Sequence, residues 1–286
     1  MLLIGATGKI GRHLVPVLVT AGVTPTVLAR DVDRAFEALG SNVHYVAGDL
    51  SDPASLAAAF AGQDVVYLAV GQTDDQVALE KNAIDAAVEA GVQRIVKISA
   101  LGAQIGVDGP NPFVRWHAEI EQHLQSASIG STILRPNLFD DNLLGSAAQI
   151  AQGQIFSTTG DSAIAWIYPA DIAAAAAVAL LDDSHVGKVY EISGPEALTY
   201  AELADRFTAV LGRPVQWIGI DDASFRGALD SAGLPAWVVT AYVELNSSIR
   251  TSDIASNVPG DVPALLGRPA TSIDTWIQEN RSAFGA

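Results

Sequence analysis

The sequence predicts an α/β protein: a doubly wound parallel sheet with helices on both faces, and a smaller, mainly helical lobe beside it. Three observations carry this expectation. Short apolar strands alternate with amphipathic helices through the first half of the chain. The first strand, Leu2 to Ile4, ends in glycines at Gly5, Gly8 and Gly11 and runs straight into a helix-like stretch, His13 to Val19. The second half is less regular and, from about residue 200, reads mainly as helices broken by Gly212-Arg213-Pro214, Gly233-Leu234-Pro235 and Val258-Pro259-Gly260.

The elements follow in order. Pro25 to Ala29 is the second strand, with a helix from about Asp31 to Leu39, and Val43 to Ala47 is the third. Pro53 starts a helix through Phe60, where its missing N–H costs nothing. Asp64 to Val70 is the fourth strand. A long helix from about Asp74 to Ala90 follows, with Val77, Ile84, Ala87 and Val88 near one face and Gly91 as its stop. Arg94 to Ile98 is the fifth strand, Phe113 to Gln125 a helix, and Thr132 to Arg135 the sixth strand. Leu138 to Ala151 reads as helix, and residues 155–168 as short strands and turns. Asp171 is the expected cap of an alanine-rich helix through Leu181, Lys188 to Ser193 is a strand, and Thr199 with Glu202 forms a capping-box pattern. The expected division is 1–155 with about 186–194 for the sheet domain, and about 156–185 with 195–286 for the lobe.

Composition narrows the classes. With 286 residues, 49% of them apolar and 17% charged, the chain is globular and long enough for a generous core. No uninterrupted apolar run of about 18 residues predicts a membrane span. A strand beginning at Leu2 leaves no room for a signal peptide, so the expected compartment is the cytoplasm. The absence of cysteine excludes disulfides, thiolate metal sites and cysteine nucleophiles, and no His/Asp/Glu spacing suggests a metal. A net charge of −16 argues against nucleic acid and anionic membrane surfaces as partners. Any anionic cofactor must then be held by a local basic spot, which makes each nearby arginine informative.

Strand, glycine turn and helix form the context of a dinucleotide-phosphate site, and the sheet is therefore expected to be of Rossmann type. Glycine permits the tight turn and the close approach of backbone N–H groups, and the start of the helix favours an anion. The residues expected to hold it are Gly5, Thr7, Gly8, Lys9, Ile10 and Gly11. The spacing is GxxGxxG; no Lys-Ser or Lys-Thr pair closes it, so it is not a P-loop. Arg30 ends the second strand, about 20 residues on, where NAD enzymes place a carboxylate on the ribose. A guanidinium there suits a 2′-phosphate and points to NADP(H) over NAD(H), although Asp31 beside it could face the ribose instead. Asp49 can accept from the adenine amino group while Leu50 covers the ring, and Asp49 can equally cap the following helix. Ala69, Val70 and Gly71 are small enough to let the ribose and nicotinamide pass. Ser99 ends the fifth strand beside them, where it bonds substrate or nicotinamide, or merely starts the turn.

These segments together resemble one family. Gly5-Ala6-Thr7-Gly8-Lys9-Ile10-Gly11, Val27-Leu28-Ala29-Arg30, Gly48-Asp49-Leu50 and Lys97-Ile98-Ser99-Ala100 are similar to the NmrA-like group of atypical short-chain dehydrogenases. So are Ile120-Glu121 with Leu124, Ile133-Leu134-Arg135-Pro136-Asn137 with Asn142, and Tyr190-Glu191-Ile192-Ser193-Gly194-Pro195. The match runs to about residue 212. It implies NADPH-dependent reduction of quinones or triphenylmethane dyes, or else a redox-sensing regulator that binds cofactor without turnover and docks on a partner protein. The wider superfamily's Tyr-x-x-x-Lys pair is missing: none of Tyr45, Tyr67, Tyr168, Tyr190, Tyr200 or Tyr242 has Lys four residues later. The lysine of the isoflavone-reductase branch is missing too, since Phe113 to His117 supply none.

His117 is the residue of that region able to move a proton near neutral pH, and the reductase-like members carry a His at the matching place. It is the candidate catalytic residue, while His123 belongs to a solvated face. Asn137 and Phe139, after the sixth strand, are candidate substrate contacts at the edge where open α/β sheets bind ligands. Trp116, Trp166 and Tyr168 either line a flat apolar pocket over the nicotinamide or pack the core. Trp166 and Tyr168 share a side if that stretch is a strand. The expected activity is hydride transfer from NADPH to a flat, electron-poor small molecule, in a monomer or a homodimer.

Overall fold

The computed structural model describes residues 1–286. The chain runs β1 (Leu2–Ile4), α1 (Gly11–Thr20), β2 (Thr26–Ala29), α2 (Val32–Leu39), β3 (His44–Ala47), α3 (Ala57–Phe60), β4 (Val65–Leu68), α4 (Gln76–Glu89), β5 (Arg94–Ile98), α5 (Pro112–Ser126) and β6 (Gly130–Pro136). It continues through α6 (Ala147–Ala151), β7 (Gln154–Ser157), α7 (Pro169–Leu181), β8 (Val189–Ile192), α8 (Tyr200–Leu211), β9 (Gln216–Gly219), α9 (Asp222–Ser231), α10 (Ala236–Thr251), α11 (Asp261–Leu266) and α12 (Ile273–Glu279). Seven strands form one parallel sheet in the order β3-β2-β1-β4-β5-β6-β8, so the strand order reverses between β1 and β4. Ligands bind outside the carboxyl ends of such strands, at that reversal.

Side-chain alternation explains the layers. Leu3, Val27, Tyr67 and Val96 face one side and meet α1 and the alanine-rich α7. Leu2, Ile4, Val66 and Ile95 face the other and meet α3, α4 and α5. Alanine lets α7 lie close against α1 and the sheet, and Ala173, Ala175 and Ala176 are fully buried there. A third core, around Trp276, Phe207, Phe284 and Ile155, builds the lobe. No helix is long and apolar enough to cross a membrane.

Several expectations change. The stretch 156–185 does not fall in one unit, because α7 covers the main sheet while β7 pairs with β9 in a separate two-stranded sheet. The β9 strand lies inside the region read as helical. The helix expected over 138–151 is a 3₁₀ segment, Asp140–Ser146, followed by the short α6. Asp171 does not cap α7: Tyr168 holds the N-cap position. The buried Asp171 carboxylate instead accepts from Arg268 Nη2 at 2.6 Å and the Thr271 N–H at 2.5 Å, tying α7 to the C-terminal segment. The Thr199–Glu202 capping box forms as read.

Candidate active site

The turn after β1 is built around its glycines. Gly5 has φ +84°, and a Cβ there would lie 1.9 Å from the Ala69 carbonyl oxygen at the end of β4. A Cβ on Gly11 would lie 2.4 Å from the Ala6 carbonyl oxygen, so this glycine lets α1 start directly under the turn. Gly8 is different: its hypothetical Cβ meets only the Gly5 carbonyl oxygen, at 3.2 Å, and otherwise faces open space. The N–H groups of Thr7, Lys9 and Ile10 find no acceptor within the protein, and α1 has no side-chain cap. Free donors, a positive helix end and an uncluttered approach at Gly8 fit a pyrophosphate.

From this turn a cavity of about 1170 Å³ runs along the C-terminal edge of the sheet. That exceeds the 300–1,000 Å³ usual for one small ligand and leaves room for a dinucleotide and a second molecule. At its β2 end stand Arg12, Arg30 and Arg34, all exposed. Asp31 lines the cavity beside them, and its Oδ1 caps α2 by accepting from the Arg34 N–H at 2.9 Å. Asp49 accepts from the Ser51 N–H and hydroxyl, and these bonds, with Arg30 adding a smaller contribution, hold its carboxyl below the usual range. Leu50, Ala69, Val70 and Gly71 line the next stretch, and Lys9 Nζ donates to Asn142 Oδ1 at 3.1 Å across the cavity.

The far end is an apolar chamber. Phe113 and Val114 of α5 form one wall, and Tyr242, Leu245 and Ile249 of α10 form the other. Ser99 lies here, but its hydroxyl proton is committed to Glu121 Oε1 at 2.5 Å, and Glu121 also accepts from Arg135 Nε at 3.0 Å. His117 lines the same chamber, one helical turn beyond Phe113. Its Nδ1 sits 3.3 Å from Lys97 Nζ and its Nε2 3.4 Å from Gln76 Nε2. Burial, and then the Lys97 charge, push the imidazole well below its ordinary range, so it is neutral at pH 7. Behind it Lys97 and Glu80 form a fully buried ion pair, Nζ to Oε2 at 2.5 Å. Burial raises the Glu80 carboxyl, and Lys97 opposes the rise.

The glycine turn, Arg30, Asp49, Leu50, Ala69 to Gly71, Ser99, His117, Asn137 and Phe139 therefore share one cavity. Asn137 has little left for a ligand, because its Nδ2 donates to the Ala255 carbonyl and its Oδ1 accepts from the Leu138 N–H, both at 2.8 Å. Three aromatic candidates lie outside the lining. Trp116 packs between Phe113 and Trp237, at ring-centroid distances of 5.8 and 5.7 Å. Trp166 is buried against Tyr200 in the lobe core. Tyr168 packs edge-on to His13 and donates to Glu279 Oε2 at 2.9 Å. The stretch of Trp166 and Tyr168 makes only isolated bridges, Phe139 to Ile167 and Ile164 to Leu198, instead of the strand that would have set both rings over the chamber. The sequence reading missed Arg12, Arg34, Gln76, Glu80 and Lys97. Lys97 had a visible signal: a charge inside Ile95-Val96-Lys97-Ile98, a buried strand, requires a buried partner.

Comparison with known proteins agrees with this geometry. A family model described as NAD(P)H-binding matches residues 5–183, more than half of the chain. An NAD(P)H azoreductase of Xenophilus azovorans is 34% identical over 287 residues, covering 100% of this chain and 99% of that protein. Quinone oxidoreductase 2 of Escherichia coli is 29% identical over 279 residues, covering 94% of each. The structure of the NADPH-dependent quinone oxidoreductase from Escherichia coli, complexed with NADPH, superposes with a TM-score of 0.89 at 28% identity over 98% of this chain and 99% of that one. The chain belongs to the NAD(P)H-binding family, in agreement with the resemblance to the NmrA-like group read from its sequence.

Proposed function

We propose that this protein is an NADPH-dependent reductase of flat, electron-poor organic acceptors such as quinones, dyes, imines or enones. The observation that carries the reading is the single cavity that joins an anion-ready glycine turn and three guanidiniums to a chamber walled by Phe113, Tyr242, Leu245 and Ile249. The relatives that reduce azo compounds and quinones span nearly the whole chain and support the same class of acceptor. When bound, the dihydronicotinamide supplies the hydride. The Thr7, Lys9 and Ile10 N–H groups hold the pyrophosphate, Arg30 with Arg34 and Arg12 grips the 2′-phosphate, and Asp49 and Leu50 hold the adenine. The apolar walls stack the acceptor and exclude water, and His117 faces it with a neutral ring.

Two measurements test this. Steady-state oxidation of NADPH with a quinone acceptor is expected to fall at least about 100-fold in His117→Ala and to stay unchanged in His123→Ala. His123 pairs with Asp85 on the outer surface, at 2.7 Å, and is the control. Tight NADPH binding by the wild type, with no turnover on any quinone or dye, would replace the reductase by a cofactor-sensing regulator. Calorimetric titration of Arg30→Glu is expected to weaken NADPH at least about 10-fold more than NADH. Equal losses would remove the case for 2′-phosphate recognition.

A further inference from the structure

A neutral imidazole is a weak acid, so the proton that completes a two-electron reduction needs a source behind His117. The groups around the ring identify one. On β5, Lys97 is fully buried, and its ammonium meets three acceptors: Glu80 Oε2 at 2.5 Å, the Ile98 carbonyl at 2.9 Å and His117 Nδ1 at 3.3 Å. An ammonium has three donors and no acceptor. Its contact with Nδ1 asks that nitrogen to accept, while the Gln76 amide nitrogen, also a donor, stands 3.4 Å from Nε2; the shorter, charged contact favours Nδ1 as the acceptor and the ring proton on Nε2. On α4, the Gln76 amide nitrogen donates to Glu80 Oε1 at 2.9 Å, which fixes the other carboxylate oxygen. On β4, Tyr67 carries a buried hydroxyl without a partner, and burial together with the Glu80 charge keeps it protonated. Glu121 of α5 and Arg135 of β6 neutralise each other beside Ser99, and Tyr242 of α10 donates to Gln72. Farther out, Lys81–Glu119 and Asp85–His123 pair at the surface of α4 and α5. Lys97 is thus the one cation that touches the ring.

We propose that Lys97, held by Glu80, is the positioning residue of the reduction: it locks His117 as the Nε2–H tautomer and refills Nδ1 as Nε2 gives up its proton. This rests on the reductase reading above. The acceptor takes a hydride, with its electron pair, from the dihydronicotinamide at one atom, and the Nε2 proton at the oxygen or nitrogen left anionic. Nδ1 takes a proton from Lys97, which becomes a neutral amine beside Glu80. A solvent proton then enters at Nε2 once product leaves, and the Nδ1 proton returns to Lys97. The sum is oxidation of one dihydronicotinamide, two-electron reduction of the acceptor and uptake of one solvent proton.

Two acceptors separate this role from a structural one. A quinone must gain a hydride and a proton, whereas a cationic triphenylmethane dye is neutralised by hydride alone. The variant Lys97→Met combined with Glu80→Gln leaves no unpaired buried charge. Its kcat with a quinone is expected to fall at least about 100-fold, while KM, NADPH affinity and kcat with the dye stay within about 3-fold. Equal losses with both acceptors would overturn the relay. Nitrogen-15 NMR of the wild type without cofactor reads the lock directly: the proton is expected on Nε2 of His117, without titration between about pH 5.5 and 8. In the double variant burial still holds the ring neutral, and its proton is expected to divide between Nδ1 and Nε2 instead of standing on Nε2 alone. A wild-type ring protonated at Nδ1, or titrating normally, would overturn the proposal even if the variant failed to fold. A wild type that reduces neither acceptor would instead overturn the reductase reading and the relay that depends on it, with the tautomer still decided by the spectrum.

Discussion

Gly8→Ala is expected to fold normally and to lose NADPH. The new methyl meets one backbone oxygen at 3.2 Å, a contact that relaxes with a shift of a few tenths of an ångström, so thermal stability should change little. The same methyl occupies the open face across which the pyrophosphate must approach the unsatisfied N–H groups of Thr7, Lys9 and Ile10. Dissociation constants measured by calorimetry should rise at least about 100-fold, or about 2.7 kcal/mol. Gly5→Ala should fail differently. Its methyl would lie 1.9 Å from the Ala69 carbonyl oxygen, on a backbone with φ +84°, so β1 and β4 must part at their C-terminal ends. A loss of several kcal/mol in denaturant unfolding is expected along with the loss of binding. If Gly8→Ala bound NADPH like the wild type, the turn would not be the phosphate site.

The second large effect concerns stability and lies outside the cavity. Asp140 is buried, and neither carboxylate oxygen has a hydrogen-bond partner. Burial pushes its carboxyl up to about 8, with the charges of Asp141 and Asp171 adding to the rise. An unfolded aspartate releases its proton near pH 3.9. Between these values the folded state binds the extra proton, so stability is highest below about pH 4 on this account and falls as pH rises toward 8. Asp140→Asn removes the charge without changing the shape. Urea unfolding should show the variant roughly 2–5 kcal/mol more stable than wild type at pH 8, with the gap narrowing as pH falls and closing near pH 4. A pH-independent difference between the two proteins would mean that Asp140 is not the titrating group.

The sheet was legible because its signals are local. Leu2-Leu3-Ile4, Val27-Leu28 and Ile95-Val96 are short apolar runs between turn residues, and the glycines after Ile4 leave few other conformations. Arg30 was legible for the same reason, as a fixed offset from a local motif. What escaped depended on contacts between distant segments. Lys97 finds Glu80 17 residues upstream, and that pairing needs the rotation of α4, which the sequence reading set differently. It turned Val88 inward, yet Val88 is 38% exposed, while Gln76 and Glu80 are buried. An apolar count cannot favour burying a carboxylate; only its partner across the layer can. Trp166 and Tyr168 were placed by assuming a strand, and the chain there makes only isolated bridges. The β9 strand was hidden because four residues, Gln216-Trp217-Ile218-Gly219, pair with β7 far away in sequence.

The cluster of Arg12, Arg30 and Arg34 has a kinetic meaning for a chain whose net charge is −16. Seen from far away, the net charge repels a nucleotide anion, and the three guanidiniums act on it only at short range. At low ionic strength the repulsive outer field extends farthest and shields the entrance. Cellular salt, with its screening length of about 8 Å, shrinks that barrier more than it weakens guanidinium–phosphate contacts at bonding distance. Encounter is thus slow by long-range design and selective at short range, which disfavours loose capture of the many polyanions that carry phosphate but cannot thread a glycine turn.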